Sequence, residues 1–147
     1  MFTDEAVFVD SWAWLALSNR LDNYHEVVVR AYEEIRRAGH VMLTSDYVLD
    51  EVITALFTNV SFDHAVEFIE TLLSAIGVGQ IALERVDEER SNSAWMLRKR
   101  YQDKPEISFT DLTSFVIMRE LGISRAFTGD KHFEEVNLGF EMLPKSR

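Results

Sequence analysis

Short apolar runs alternate with long amphipathic stretches along this chain of 147 residues. Strand-like runs are predicted at 7–9, 41–43, 81–86, 125–128 and 140–143. Helical spacing of apolar residues is clearest at 24–38, 62–75 and 88–101. Strands separated by helices need crossover connections, and such connections join parallel strands. The pattern therefore predicts an α/β fold in which helices cover both faces of a largely parallel sheet.

No stretch of the sequence resembles a linker, a repeat or a low-complexity segment, so we predict a single domain over residues 1–147. The chain contains no cysteine, which excludes disulfides and thiolate metal sites. It has no run of apolar residues long enough for a membrane span and no pattern of a secretory signal. We expect a cytoplasmic protein that does not associate with membranes.

The formal net charge of −10 argues against a protein that grips nucleic acid through a broad basic surface. It does not exclude a nuclease, because bound metal would neutralise part of the excess acid. The basic residues are clustered in two predicted helices and the loop after the second: Arg30, Arg36, Arg37, Arg98, Lys99, Arg100 and Lys104. These clusters are either solvated helix faces or phosphate contacts beside an acidic site.

Four acidic residues lie where the chain changes secondary structure. Asp10 and Asp130 follow predicted strands, whereas Glu51 and Asp111 lie in the first halves of predicted helices. In parallel sheets, ligands bind beyond the carboxyl ends of the strands. Carboxylates that converge there repel one another, and a divalent cation with oxygen ligands relieves the repulsion. The pattern therefore indicates Mg²⁺ or Mn²⁺ chemistry on phosphates.

Each acid also has a purely structural interpretation. Asp10 or its neighbour Ser11 is suited to cap the following helix. Asp111 completes a Ser-x-x-Asp string that fits a variant of the capping box, and Asp130 fits a turn or the cap of a short helix. Glu51 lies at the margin of an apolar face, where a carboxylate either tilts towards solvent or is held inside by a partner.

The order and context of the four acids resemble the PIN-domain family and, in size and layout, the VapC-type toxin ribonucleases. The resemblance runs from Val7 to Leu143 and rests on VFVDSWAWLAL, SFTDLTSFVIMRELG and RAFTGDKHFEEVNLGFEML. The separation of 19 positions between Asp111 and Asp130 and the trailing His-Phe are its most specific features. The motif around Glu51 is weak by itself.

The resemblance implies a Rossmann-like sheet whose strand ends hold Mg²⁺ or Mn²⁺. Asp10, Asp111 and Asp130 would be direct ligands, and Glu51 would bind directly or through water. Ser11 and Thr128 would support these ligands by hydrogen bonds. The implied activity is metal-dependent endoribonuclease cleavage that leaves a 5′-phosphate and a 3′-hydroxyl, in a toxin held inactive by a small antitoxin protein.

Surplus apolar surface on the predicted helices between Asp46 and Ala75 indicates a two-fold homodimer. Two other functions are open. One is a PIN-like module that binds RNA or protein without catalysis. The other is a haloacid-dehalogenase-type phosphohydrolase, which is disfavoured because it needs a second Asp two positions after the first, where Trp12 stands.

Several further residues have two interpretations each. His132 is either a phosphate contact or a packing residue, and Asp103 is either an outer acid of the site or part of a loop. We interpret the three tryptophans, Trp12, Trp14 and Trp95, as core or dimer contacts in preference to base-stacking platforms.

Overall fold

A computed structural model describes residues 5–145, so the ends of the predicted domain, 1–4 and 146–147, lie outside the described residues. The strands are β1 (Ala6–Val9), β2 (Val41–Ser45), β3 (Ile81–Glu84), β4 (Arg125–Phe127) and β5 (Glu141–Leu143). The helices are α1 (Ser11–Ser18), α2 (His25–Arg37), α3 (Asp46–Asn59), α4 (Phe62–Gly77), α5 (Glu88–Arg100), α6 (Phe109–Leu121) and α7 (His132–Glu135).

The five strands form one parallel sheet in the order β3-β2-β1-β4-β5. The central strand β1 is buried along its whole length, which is why it is a continuous apolar run, Ala-Val-Phe-Val, with no alternation. The predicted α/β fold is confirmed. Chain order reverses on either side of β1, so the carboxyl ends of β1 and β4 form the crevice where such folds place their sites.

Three strands end at a different residue from the one predicted. β2 continues to Ser45, β3 stops at Glu84, and β4 stops at Phe127. The early end of β4 leaves Thr128 in a loop, where its backbone amide donates to the carbonyl of Leu143 at 2.9 Å. Thr128 is therefore fixed in place without belonging to a strand.

Serine caps determine where the site-bearing helices begin. The Ser45 hydroxyl accepts from the amide of Val48 at 3.1 Å, which starts α3 directly after β2. The Ser108 hydroxyl accepts from the amide of Asp111 at 3.0 Å, so Ser108 caps the start of α6. A left-handed Gly122, with φ of 72°, ends α6.

The loop before α6 is held by Arg98, which was predicted to be either solvated or a phosphate contact. Its guanidinium donates to three backbone carbonyls, those of Tyr101, Lys104 and Ile107, at 2.6 to 2.8 Å. Neither interpretation is correct for this residue, because its charge is used inside the fold. A helix long and apolar enough to cross a membrane is not found anywhere in residues 5–145.

Candidate active site

Asp10 follows β1 and stands at the start of α1, but its side chain makes no capping hydrogen bond there. The residue is only 2% exposed. Its Oδ2 accepts a hydrogen bond from the Thr128 hydroxyl at 2.8 Å, whereas its Oδ1 is buried without a hydrogen-bond partner among the described residues. Because an unpartnered buried carboxylate oxygen is costly, the capping interpretation does not explain this residue.

Thr128 joins the ends of two neighbouring strands. While its hydroxyl donates to Asp10, its Oγ1 accepts from the backbone amide of Asp130 at 3.0 Å. The hydroxyl's one donor and one of its acceptor positions are therefore used within the cluster. This single side chain fixes the loop that carries Asp130 relative to the carboxylate that follows β1.

Asp111 occupies the first turn of α6, as its capping-box interpretation requires, yet its side chain points inward. Only 6% of the residue is exposed, although an acid that merely complemented the helix dipole would face solvent. The fold thus directs the Asp111 carboxylate towards the strand ends.

His132 lies between two of the acids. Its Nδ1 is 3.2 Å from Asp130 Oδ1 and 3.4 Å from Asp111 Oδ2, and its backbone amide donates to Asp130 Oδ1 at 2.9 Å. Ligand atoms of Asp111, Asp130 and His132 all lie within 4.8 Å of one another. The sequence predicts either a phosphate contact or a packing residue at His132. The available signal was the Asp-x-His spacing, which forms an Asx turn that directs the imidazole back to the acid.

Glu51 lies half-buried on the side of the cluster formed by α3. Its Oε1 accepts a hydrogen bond from the Ser11 hydroxyl at 3.0 Å. Ser11 is the first residue of α1 and directly follows Asp10. The pairing therefore links Glu51 to the strand end that carries Asp10.

Burial and mutual repulsion raise the pKa values of three of these carboxyl groups. Burial raises the pKa of Asp10 to about 6, although the hydrogen bond from Thr128 opposes the shift. Burial first, and then the charges of Asp10 and Asp130, raise the pKa of Asp111 well above its usual range. Burial also raises the pKa of Glu51. The cluster is therefore strained by its own charge in the absence of a cation.

Thr44, which the sequence did not indicate, supports the end of β1. The Thr44 hydroxyl donates to the carbonyl of Val9 at 3.0 Å and accepts from the indole Nε1 of Trp14 at 3.2 Å. Trp14 is thus a core residue, as predicted. A buried threonine at the end of an apolar strand was the available signal, because its hydroxyl needs partners inside the fold.

Asp103 lies outside the cluster. It is exposed and pairs with the neighbouring Lys104 at 2.9 Å, which agrees with its loop interpretation. A surface cavity of about 800 Å³ lies between the loops after α1 and α3 and is lined by none of the four acids. Size alone therefore does not locate the site.

The donor set fits a hard divalent cation. Ligand atoms of Asp111, Asp130 and His132 lie together, and the charges of Asp10 and Glu51 act on Asp111, in a chain without thiols. The partnerless Oδ1 of Asp10 and the raised pKa values are the features that an ion would relieve. Asp10, Asp111 and Asp130 would hold it, and Glu51 would complete its surroundings.

Comparison with known proteins defines the class to which this fold and site belong. The model of the PIN domain family matches residues 7–138, and the chain belongs to that family. It is 33% identical over 127 residues to the 23S rRNA-specific endonuclease VapC20 of Mycobacterium tuberculosis. The aligned residues cover 86% of this chain and 91% of the relative. VapC20 of M. tuberculosis strain H37Rv has the same identity and coverage.

Two solved structures have the same fold. The crystal structure of M. tuberculosis VapC20, described as a Sarcin-Ricin loop cleaving toxin, aligns with a TM-score of 0.78 at 31% identity and covers 92% of this chain and 96% of that chain. The structure of VapBC2 from Rickettsia felis, bound to a DNA fragment from its promoter, aligns with a TM-score of 0.69 at 12% identity. It covers 93% of this chain and 96% of that chain, and at this identity it supports the fold alone. The resemblance predicted from the sequence is confirmed.

Proposed function

We propose that this chain is an endoribonuclease that hydrolyses RNA phosphodiester bonds with Mg²⁺ or Mn²⁺, and that it is the toxin of a toxin–antitoxin pair. The observation that carries the proposal is the convergence of Asp10, Asp111 and Asp130 at the strand ends, where one buried carboxylate oxygen has no partner in residues 5–145. RNA is the proposed substrate because the relative that is 33% identical is an rRNA-specific endonuclease.

The side chains have distinct roles in this proposal. Asp10, Asp111 and Asp130 hold the cation, and Thr128 orients Asp10 through its 2.8 Å hydrogen bond. Ser11 orients Glu51. When bound, the ion supplies Lewis acidity at the phosphate and activates water for attack on phosphorus. His132, held beside Asp130 and Asp111, is placed to donate a proton in a hydrogen bond to a phosphate oxygen.

We further propose that the protein acts in the cytoplasm, that a small antitoxin covers the acidic site, and that two copies form a dimer. Phe57 and Phe62 are exposed aromatic residues at the junction of α3 and α4, and their ring centroids are 5.3 Å apart. Such a pair on a helix surface is typical of an interface. It lies within the segment 46–75 that the sequence indicated for dimerisation.

The test is cleavage of a fluorescently labelled RNA by metal-depleted protein to which Mg²⁺, Mn²⁺ or EDTA is added. We expect cleavage only with a divalent ion, and we expect Asp111→Asn to lower its rate at least about 100-fold because a buried ligand is lost. Asp63→Asn is the matched control. It removes an exposed acid from the first turn of α4 and should leave the rate nearly unchanged.

The alternative functions give different results in the same assay. A catalytically silent binding module would retain the RNA without cutting it, with or without the ion. A phosphohydrolase would release phosphate from a small phosphomonoester and leave the RNA intact. Either result from the unmodified chain would refute the ribonuclease proposal.

A further inference from the structure

A second cavity, of about 350 Å³, opens next to the candidate active site. Its lining includes Trp12, Tyr24, Gly129, Lys131 and Lys145. It also includes Thr128, whose hydroxyl holds Asp10 and which lies two positions before Asp130. The cavity and the acid cluster therefore share the loop that follows β4.

Two aromatic rings form one wall of this cavity. Trp12 and Tyr24 have ring centroids 5.2 Å apart and an interplanar angle of 52°. The indole of Trp12 packs directly on the backbone of Gly129, where an added Cβ would collide with the ring. Trp12 is thus fixed in orientation, while Tyr24, at the start of α2, is 54% exposed. An immobilised indole beside an exposed phenol provides a stacking surface at low entropic cost.

Two basic side chains line this cavity, although the chain as a whole is acidic. Lys131 and Lys145 both line it, in a protein whose formal net charge is −10. Glu134 is also in the lining, and Lys145 is 2.9 Å from Glu141, so the positive potential is local and moderate. The two lysines suit the phosphate of one nucleotide. The aromatic rings beside them suit its base.

We propose that this cavity binds one unstacked nucleobase of a single-stranded RNA segment, next to the phosphate that is cleaved. This inference rests on the proposed function and adds to it a site of substrate recognition. A volume of about 350 Å³ is near the lower end of the usual range for ligand pockets, so the cavity accommodates a single nucleotide but not a duplex. Proteins that read single-stranded RNA stack extruded bases on aromatic side chains in this way.

The proposal is tested with a short labelled single-stranded RNA and with the same RNA carrying abasic ribose at its central positions. Binding is measured by fluorescence anisotropy with Ca²⁺ in place of Mg²⁺. Tyr24→Ala should weaken binding of the intact RNA about tenfold or more, the loss expected when a stacking partner is removed. Its effect on the abasic RNA should be less than about twofold, because no base is left to stack. Tyr24→Phe retains the ring and should retain the affinity.

Two further variants separate stacking from other effects. Trp95→Ala removes another exposed tryptophan, on α5, that does not line the cavity, and it should bind both RNAs as the unmodified chain does. Lys131→Gln should weaken binding of both RNAs equally and lower the salt dependence of binding, since it removes a phosphate contact. Thermal melting of each variant verifies that it is folded.

Equal binding by Tyr24→Ala and Tyr24→Phe would overturn the proposal and would assign the aromatic pair to packing or to a protein partner. Cleavage by the unmodified chain with Mg²⁺ is measured in parallel. If that chain cleaves RNA while the two Tyr24 variants bind alike, the base site alone fails. If it neither binds nor cleaves RNA, the proposed function fails and the base site fails with it.

Discussion

The Thr128 hydroxyl donates a 2.8 Å hydrogen bond to the buried Oδ2 of Asp10, across 118 positions of sequence. This contact joins the ends of β1 and β4, and it opposes the rise in the pKa of Asp10 that burial causes. Thr128 therefore acts on both the geometry and the charge of the site. Removing this hydroxyl should therefore change both the geometry and the charge of the site.

Thr128→Val removes that hydroxyl but keeps the shape of the side chain. Asp10 then loses a buried hydrogen bond, and the amide of Asp130 loses its acceptor, so we expect the free energy of unfolding to fall by about 1–3 kcal/mol. We also expect weaker Mg²⁺ binding, because the ionised form of Asp10 is less stabilised.

The matched control for this variant is Thr113→Val. Thr113 is equally buried, and its hydroxyl donates to the carbonyl of Thr110 within α6. Chemical denaturation measures the stability, and calorimetry measures the metal affinity. An unchanged metal affinity in Thr128→Val with normal binding in the control would show that Thr128 has only a structural role.

The metal-free protein should lose stability as the pH rises through the titration of Asp10. The pKa of this carboxyl is about 6 in the folded protein and near 3.8 when unfolded, so folding favours the protonated form. Its contribution to stability is complete below about pH 4 and is lost by about pH 6, a change of about 3 kcal/mol.

Asp10→Asn isolates this contribution, because the amide is uncharged at every pH. We expect the variant and the unmodified chain to have similar stability near pH 4, and the variant to be more stable above pH 6 when no metal is present. Urea denaturation at a series of pH values measures the difference. A constant difference over this range would mean that Asp10 ionises normally in the folded protein.

Binding of Mg²⁺ should release protons. Asp111 has a pKa well above its usual range in the metal-free protein because it is buried among Asp10 and Asp130, so it is protonated at neutral pH. A cation needs the ionised form. Calorimetry near pH 6.5 in buffers of different ionisation enthalpy should show the release of about one proton or more. Asp111→Asn should abolish most of this release, and a release unaffected by that change would contradict the assignment.

The architecture was predicted correctly because it depends on local patterns, and the same patterns indicate the four acids as a candidate site. Apolar runs such as Ala6–Val9 indicate strands, and the serines at positions 45 and 108 indicate helix starts. The contact of His132 with Asp111 and that of Thr44 with Val9 were not predicted, because each joins distant segments of the chain. His132 reaches Asp111 only after α6 packs beside the end of β4, and Thr44 reaches Val9 only across the sheet.

Strand ends were also predicted imprecisely, since tertiary contacts override local propensity there. The apolar pattern at 125–128 does not reveal that Thr128 leaves the strand to bond with Asp10 and with the amide of Asp130. Trp12 was interpreted as a core or dimer contact. Its position against Gly129, beside the cavity, follows from the approach of two loops that no local pattern indicates.

The predicted homodimer is best tested at Phe62. This side chain is 69% exposed, whereas Phe68, on the same helix, is largely packed against the core. Phe62→Glu should therefore place a charge in a dimer interface with little cost to the monomer, while Phe68→Glu would damage the fold itself.

Sedimentation equilibrium at micromolar concentration should detect a species heavier than the 17.0 kDa chain. The substitution at Phe62 should convert it to monomer without lowering the melting temperature of the monomer. Met96→Glu, which changes an exposed apolar residue on α5, is the control and should leave the association intact. A single 17.0 kDa species in the unmodified protein would refute the dimer. A dimer that persists in Phe62→Glu would place the interface on another surface.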